Sequence, residues 1–182
     1  QIIIMMHWGN EYEPHSDTRQ QNLAHQLIDA GADLIIGAHP HVVQEVEIYK
    51  DTFIFYSLGN FVFDQYFSAE TQQGLAVGIA LNTGGIISAT LYPLVSVASQ
   101  PALMVEPDRS AFLRGLAEQS HEGLFASILD AVIHLEDFLG VTMNASNILE
   151  TESETEAETV TEIQTPTSST EVVTTTGAST AD

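Results

Sequence analysis

The chain has 182 residues, 44% hydrophobic and none of them cysteine, with 4 Lys+Arg against 25 Asp+Glu for a net charge of -21. That length allows one domain with a real core, and the absence of cysteine excludes a disulfide framework or a thiolate metal site. So acidic a surface repels phosphate backbones and anionic lipid, so no nucleic-acid partner is expected; it suits self-repelling solubility, an extracellular setting or high salt.

Residues 2–6 are a short, almost continuously apolar run, the pattern of a strand buried on both faces. Residue 1 is Gln and the strand is already under way, so the chain reads as a piece of a longer protein. No run reaches the roughly 18 apolar residues of a membrane helix. Residues 7–16 form a polar loop holding His7, Trp8, Glu11, Tyr12, Pro14 and His15. Ser16 or Asp17 caps a predicted helix that runs to about Ala30, with Leu23, Leu27 and Ile28 as its apolar stripe and Gly31 as its stop. Residues 33–36 are the next strand, which completes a βαβ unit with a right-handed crossover.

That second strand runs into Gly37-Ala38-His39-Pro40-His41. Gly37 is expected to let the backbone turn, and Pro40 to push His39 towards an extended conformation. Open α/β sheets bind ligands at the carboxyl ends of their strands, and neutral imidazole is the commonest side-chain metal ligand. An isolated His-x-His is as readily a polar loop. Here residues 2–6 also end in histidine, at His7, so two strands point to one shared site.

Beyond the histidines the pattern becomes antiparallel β. Residues 42–49 and 52–58 read as a hairpin turning at Lys50-Asp51, and residues 74–81 and 86–94 as another across Asn82-Thr83-Gly84-Gly85. Residues 108–118 and 124–139 read as helices, placing His121 and His134 in a solvated helical region. From about Asn144 the character changes, and residues 151–182 carry no aromatic and no basic residue. We expect a body over 1–140 and a disordered acidic Thr/Glu-rich tail over 141–182, with too little apolar surface to offset ordering entropy. Glu150 onward holds 8 of the acidic residues, which leaves 17 acidic against 4 basic in the body.

Four stretches together resemble one family. They are His7-Trp8-Gly9-x-Glu11-Tyr12; Leu23-Ala24-His25-x-Leu27-Ile28-Asp29-Ala30-Gly31-Ala32-Asp33; Ile36-Gly37-x-His39-Pro40-His41-Val42; and Tyr56-Ser57-Leu58-Gly59-Asn60-Phe61-x-Phe63-Asp64. In this order they resemble the CapA family of bacterial capsule synthesis proteins associated with poly-γ-glutamate, closely over residues 2–81 and more loosely to about 120. That family is similar to the calcineurin-like metallophosphoesterases. The resemblance implies an α/β (α+β) fold: part of a two-sheet αββα sandwich, followed by helices and the tail. It also implies a dinuclear site of divalent metal ions (Mn, Zn or Fe) in the intact protein. His7 matches the family's lone histidine, and His39 and His41 its last pair, with Ala38 as an extra residue after Gly37. The earlier metal motifs would lie upstream, so the fragment alone is expected to be inactive.

On that resemblance His7, His39 and His41 are candidate metal ligands; the alternative is three polar residues lining a dry cleft. Glu11 and His15 are candidate catalytic groups for proton transfer, against a surface loop and an exposed residue before the helix. Tyr12, Arg19 and Asn60 are candidate substrate contacts. Tyr12 reads equally as a packing lid, and Asn60 as a group orienting a ligating histidine or satisfying a turn. Arg19 is the basic residue nearest the loop, able to offset repulsion of an anionic polymer. His25 reads as a helix-face residue bonded locally, and Tyr66 and Phe67 as a cleft cover or as rim packing. The implied role is a metal-dependent hydrolase or transferase of capsule polysaccharide or poly-γ-glutamate, at the cell envelope or its extracellular face with other capsule biosynthesis proteins. The alternative is a non-catalytic polymer-binding or export component.

Overall fold

The computed structural model describes residues 1–138, all within the first of the chain's two units, Gln1–Val141. The expected tail lies outside the described residues. Among these residues the strands are β1 (Ile3–His7), β2 (Leu34–Ala38), β3 (Val46–Tyr49), β4 (Thr52–Phe55), β5 (Gln73–Asn82), β6 (Gly85–Val97), β7 (Gln100–Leu103) and β8 (Val132–His134). The helices are α1 (Thr18–Asp29), α2 (Asp108–Gln119) and α3 (Phe125–Leu129). One sheet has the order β1-β2-β4-β3, and the other β5-β6-β7 with β8 also on β6.

The first 38 residues fold as the predicted parallel crossover, with Ile3 opposite Leu34 and His7 opposite Ala38. Asp17 caps α1 through a reciprocal pair: its carboxylate accepts from the Gln20 N–H at 2.8 Å, and the Gln20 side-chain oxygen accepts from the Asp17 N–H at 3.0 Å. Ala24 and Ile28 of α1 pack with Trp8, Ala32, Ile35, Ile54 and Tyr56 on one face of the first sheet. The opposite face contributes Leu34, Val46, Phe53 and Phe55 to a larger core with Leu75, Ala89 and Leu91 of the second sheet and Leu113, Leu116 and Ile128 of the helices. The architecture is a two-sheet α+β arrangement, as expected.

Several local expectations are corrected. β1 is not buried on both faces: Ile3, Met5 and His7 are exposed, because β1 ends the sheet and the larger core does not reach it. Gly37 makes no turn; it lies inside β2 opposite Met6. Residues 124–139 are not one helix. α3 stops at Leu129, Ala131 takes φ +59°, and the β-branched Val132 and Ile133 pair with Thr90 and Ala89 of β6. His134 is thus a strand residue. β7 is a further strand, not among the expected elements; it follows a tight turn at Ala98 and Ser99 with φ +51° and +60°. The Lys50-Asp51 turn is as predicted, with both residues at positive φ.

Candidate functional site

Parallel register places the ends of β1 and β2 side by side, and two backbone bonds extend the pairing into their loops. The Trp8 N–H donates to the Ala38 carbonyl at 3.1 Å and the Tyr12 N–H to the Pro40 carbonyl at 2.7 Å. The loop bearing Glu11 and Tyr12 is anchored from below. Gln44, 1% exposed, donates to the carbonyls of Glu13 and His15 and accepts from buried Gln20 at 3.0 Å. The Glu45 carboxylate accepts from the Ser16 N–H at 3.1 Å and from its hydroxyl. Neither glutamine nor Glu45 stood out in the sequence, since polar residues with no spacing signal become visible only when the loop is folded over them.

Glu11, His39 and His41 converge: one ligand atom from each lies within 4.8 Å of the others. The His41 Nε2 is 3.9 Å from a Glu11 carboxylate oxygen; the imidazole is 17% exposed and the carboxylate 51%. His7 stands beside this group, its ring centroid 4.6 Å from that of His39, but is not one of the three. Glu11, read from sequence as a proton-transfer group, therefore sits where a ligand would. Tyr12 lies over His41, ring centroids 5.9 Å apart, and Phe63 flanks it at 5.1 Å. Arg19 shares a cavity of about 390 Å³ with His7, Asn10 and His39. His15 is apart from the cluster, 65% exposed, with Nδ1 3.8 Å from Glu45. His25 is not bonded locally: it bonds Glu47 of β3 at 2.8 Å and stacks on Tyr49 at 3.9 Å.

The loops are held in conformations that side-chain-bearing residues rarely adopt. Tyr12, His39 and His41 have φ of +66°, +103° and +62°. His39 is therefore not extended before Pro40; the reversal imposed by the two inter-loop bonds overrides the local preference. Such backbone costs on the order of 1–3 kcal/mol per residue and clusters at functional sites.

Asn60 orients His41. Its amide nitrogen donates to the Thr71 main-chain carbonyl at 2.9 Å, which can only accept, so its oxygen faces the His41 Nδ1 at 2.9 Å. Nδ1 then carries a proton, so Nε2, 3.9 Å from the Glu11 carboxylate, is the nitrogen that a neutral His41 offers to a ligand. Two imidazoles and a carboxylate are the donor set of Zn, Mn or Fe, so the residues present fit one such ion. They hold a single carboxylate and so no bridge for a second.

A parallel crossover that brings an imidazole–carboxylate cluster to the carboxyl ends of adjacent strands, backed by a second antiparallel sheet, defines an α/β two-sheet protein with a candidate ligand site at the sheet edge. Residues 1–65 match the family model described as bacterial capsule synthesis protein PGA_cap. The chain is 35% identical over 150 residues to the capsule biosynthesis protein CapA of Bacillus anthracis, covering 82% of this chain and 35% of that protein. It is 55% identical over 64 residues to the PGA biosynthesis protein CapA of Bacillus subtilis (strain 168), covering 35% and 17%. It is 37% identical over 62 residues to a probable polyglutamine synthesis accessory protein of Mycobacterium tuberculosis, covering 34% and 16%. The chain belongs to this CapA-type capsule synthesis family and spans at most about a third of the length of these relatives. No helix among the described residues is long and apolar enough to cross a membrane.

Proposed function

We propose that this chain is the histidine-bearing part of a metal-dependent, hydrolase-like domain acting in capsule polysaccharide or poly-γ-glutamate synthesis. The observation that carries this reading is the convergence of Glu11, His39 and His41, in a chain similar to capsule biosynthesis proteins. These three would hold one divalent ion, with His7 beside them. A second ion in the intact protein would draw its further ligands from outside this chain. A bound ion would polarise a phosphoryl or carbonyl oxygen and lower the pKa of its water.

The chain's own residues supply the rest. Arg19 offers positive charge in the cavity it shares with His7 and His39, which suits an anionic group of a capsule polymer in an otherwise acidic molecule. Tyr12 and Phe63 flank the His41 ring and restrict its movement. Glu11 acts as a ligand rather than a base, and His15 stands too far into solvent to take the same role. The setting is the cell envelope or its outer face, with the polymer and other capsule proteins as partners.

The test is zinc or manganese titration of the full chain by calorimetry. His39→Ala and His41→Ala should each weaken zinc binding by about 100-fold, the upper end of what even outer-shell changes cost. Unchanged affinity in both variants would sink the metal reading. In the intact protein, polymer cleavage lost on chelation and restored by metal supports the hydrolase. Polymer binding indifferent to chelator favours a non-catalytic assembly role.

A further inference from the structure

We propose that Asn60 and Gln65 form a directed hydrogen-bond chain that turns the Tyr12 hydroxyl into a donor for an oxyanion held at the histidine cluster. This rests on the reading of that cluster as a metal site. The direction of every bond in the chain follows from one atom. The Thr71 carbonyl oxygen cannot donate, so the Asn60 Nδ2 must face it. The second proton of Nδ2 goes to the Gln65 Oε1 at 3.2 Å. Gln65 must then present its own amide nitrogen to Tyr12, and it does so at 3.0 Å from the phenol oxygen.

The phenol oxygen therefore accepts, and its own proton is free to point away from Gln65. Among the described residues no acceptor takes that proton. Tyr12 is held tightly for an exposed residue: its N–H is bonded to Pro40, its ring lies over His41, and its edge meets Phe67 at 5.1 Å. It also lines a cavity of about 700 Å³ that runs past Val42, Val43 and Phe112. A fixed ring with an unspent proton beside a ligand-type cluster is a donor awaiting an oxygen of the ligand. Phosphate and carboxylate oxygens share that chemistry. Gln65 is a positioning residue: it touches no ligand but decides which way Tyr12 donates. No sequence pattern marks it, because a glutamine in a loop of aromatics has no spacing to read.

Two readouts separate this inference from the metal reading. In the metal-free full chain, ring-nitrogen NMR should find His41 protonated at Nδ1, and Asn60→Leu should release the ring into a mixture of tautomers. A His41 protonated at Nε2 overturns the proposal whether or not metal binds. In the zinc-loaded chain, inorganic phosphate and glutarate are titrated in turn against wild type, Tyr12→Phe, Gln65→Glu and the double variant. Gln65→Glu keeps the bond from Asn60 but sets an acceptor against the phenol, which draws its proton out of the site. Tyr12→Phe and Gln65→Glu should each weaken at least one titrant by about tenfold, the worth of one hydrogen bond to a charged group. In the Tyr12→Phe background Gln65→Glu should cost much less, since only its added charge remains. The titrant that shows this coupling names the ligand class. Equal losses in both backgrounds for both titrants leave charge alone at work and overturn the proposal. A chain that takes up no zinc overturns the metal reading, while the His41 tautomer still decides the hydrogen-bond chain.

Discussion

A β-carbon on Gly37 would lie 2.0 Å from the Tyr56 carbonyl oxygen and 2.4 Å from the Trp8 indole nitrogen. Those two atoms are hydrogen-bonded to each other at 2.8 Å directly over the glycine. Gly37→Ala must push the indole off the sheet just before the loop that carries Glu11. It should cost about 1–3 kcal/mol, the range for overpacking a tight core, measured by urea unfolding; an unchanged midpoint would show that the crossing is looser than this geometry. Gly9 is constrained by a different neighbour, with φ +81° and the Gln20 side chain 2.7 Å from its would-be β-carbon. At this scale the sequence was partly legible. His39, His41 and Asn60 carry their chemistry in residue type and spacing. The positive φ of Tyr12, His39 and His41 does not show, because contacts between two distant loops create it against local preference.

The elements meet through Tyr56, at the end of β4, which is fully buried. Its hydroxyl donates to Glu47 of β3 at 2.6 Å, Glu47 bonds His25 of α1, and its carbonyl takes the Trp8 indole. Burial first, then the Glu47 carboxylate, push the Tyr56 hydroxyl well above the usual tyrosine range. In the unfolded chain it would ionise near pH 10. Stability from this group is therefore complete below about pH 10 and is lost as pH rises beyond it, since the unfolded state then sheds a proton that the folded state keeps. Denaturation midpoints should fall steeply above that pH, and less steeply in Tyr56→Phe; parallel curves for the two proteins would refute the assignment. Strand and helix types followed from periodicity wherever a run was long, as in α1 and the β5–β6 hairpin. The prediction over 124–139 went wrong because an apolar stretch with Val132 and Ile133 fits a short edge strand as well as a helix turn, and only β6 decides between them.

For the whole molecule, charge sets the terms. Among the described residues Lys50 pairs with Asp29 and Arg109 with Glu106, and no other Lys or Arg forms an ion pair. Most carboxylates there thus have no Lys or Arg partner, and self-repulsion opposes the compact state. Raising ionic strength from about 0.01 to 1 M shortens the screening length from roughly 30 to 3 Å. The melting temperature should rise by several degrees over that range in a simple monovalent salt, followed by calorimetry; a flat or falling curve would mean that the acids are spaced widely enough not to interact. The crossover and the hairpins were legible from period, and the family, with the two sheets it implies, from four motifs in order. How the sheets share one core was not, since it depends on contacts between residues as far apart in sequence as Leu34 and Ile133.

The parallel crossover also carries a consequence along the chain. Glu11, His39 and His41 lie just past the ends of β1 and β2, parallel strands joined through α1 by a connection of about thirty residues whose closure is entropically cheap. The groups that aim His41 and Tyr12, Asn60 and Gln65, together with the Thr71 carbonyl that directs them, come from the loops beyond β4. The chain therefore separates possession of the ligands from their orientation: the donor atoms come from its first 41 residues, and the groups that direct the proton of His41 come from residues 60–71.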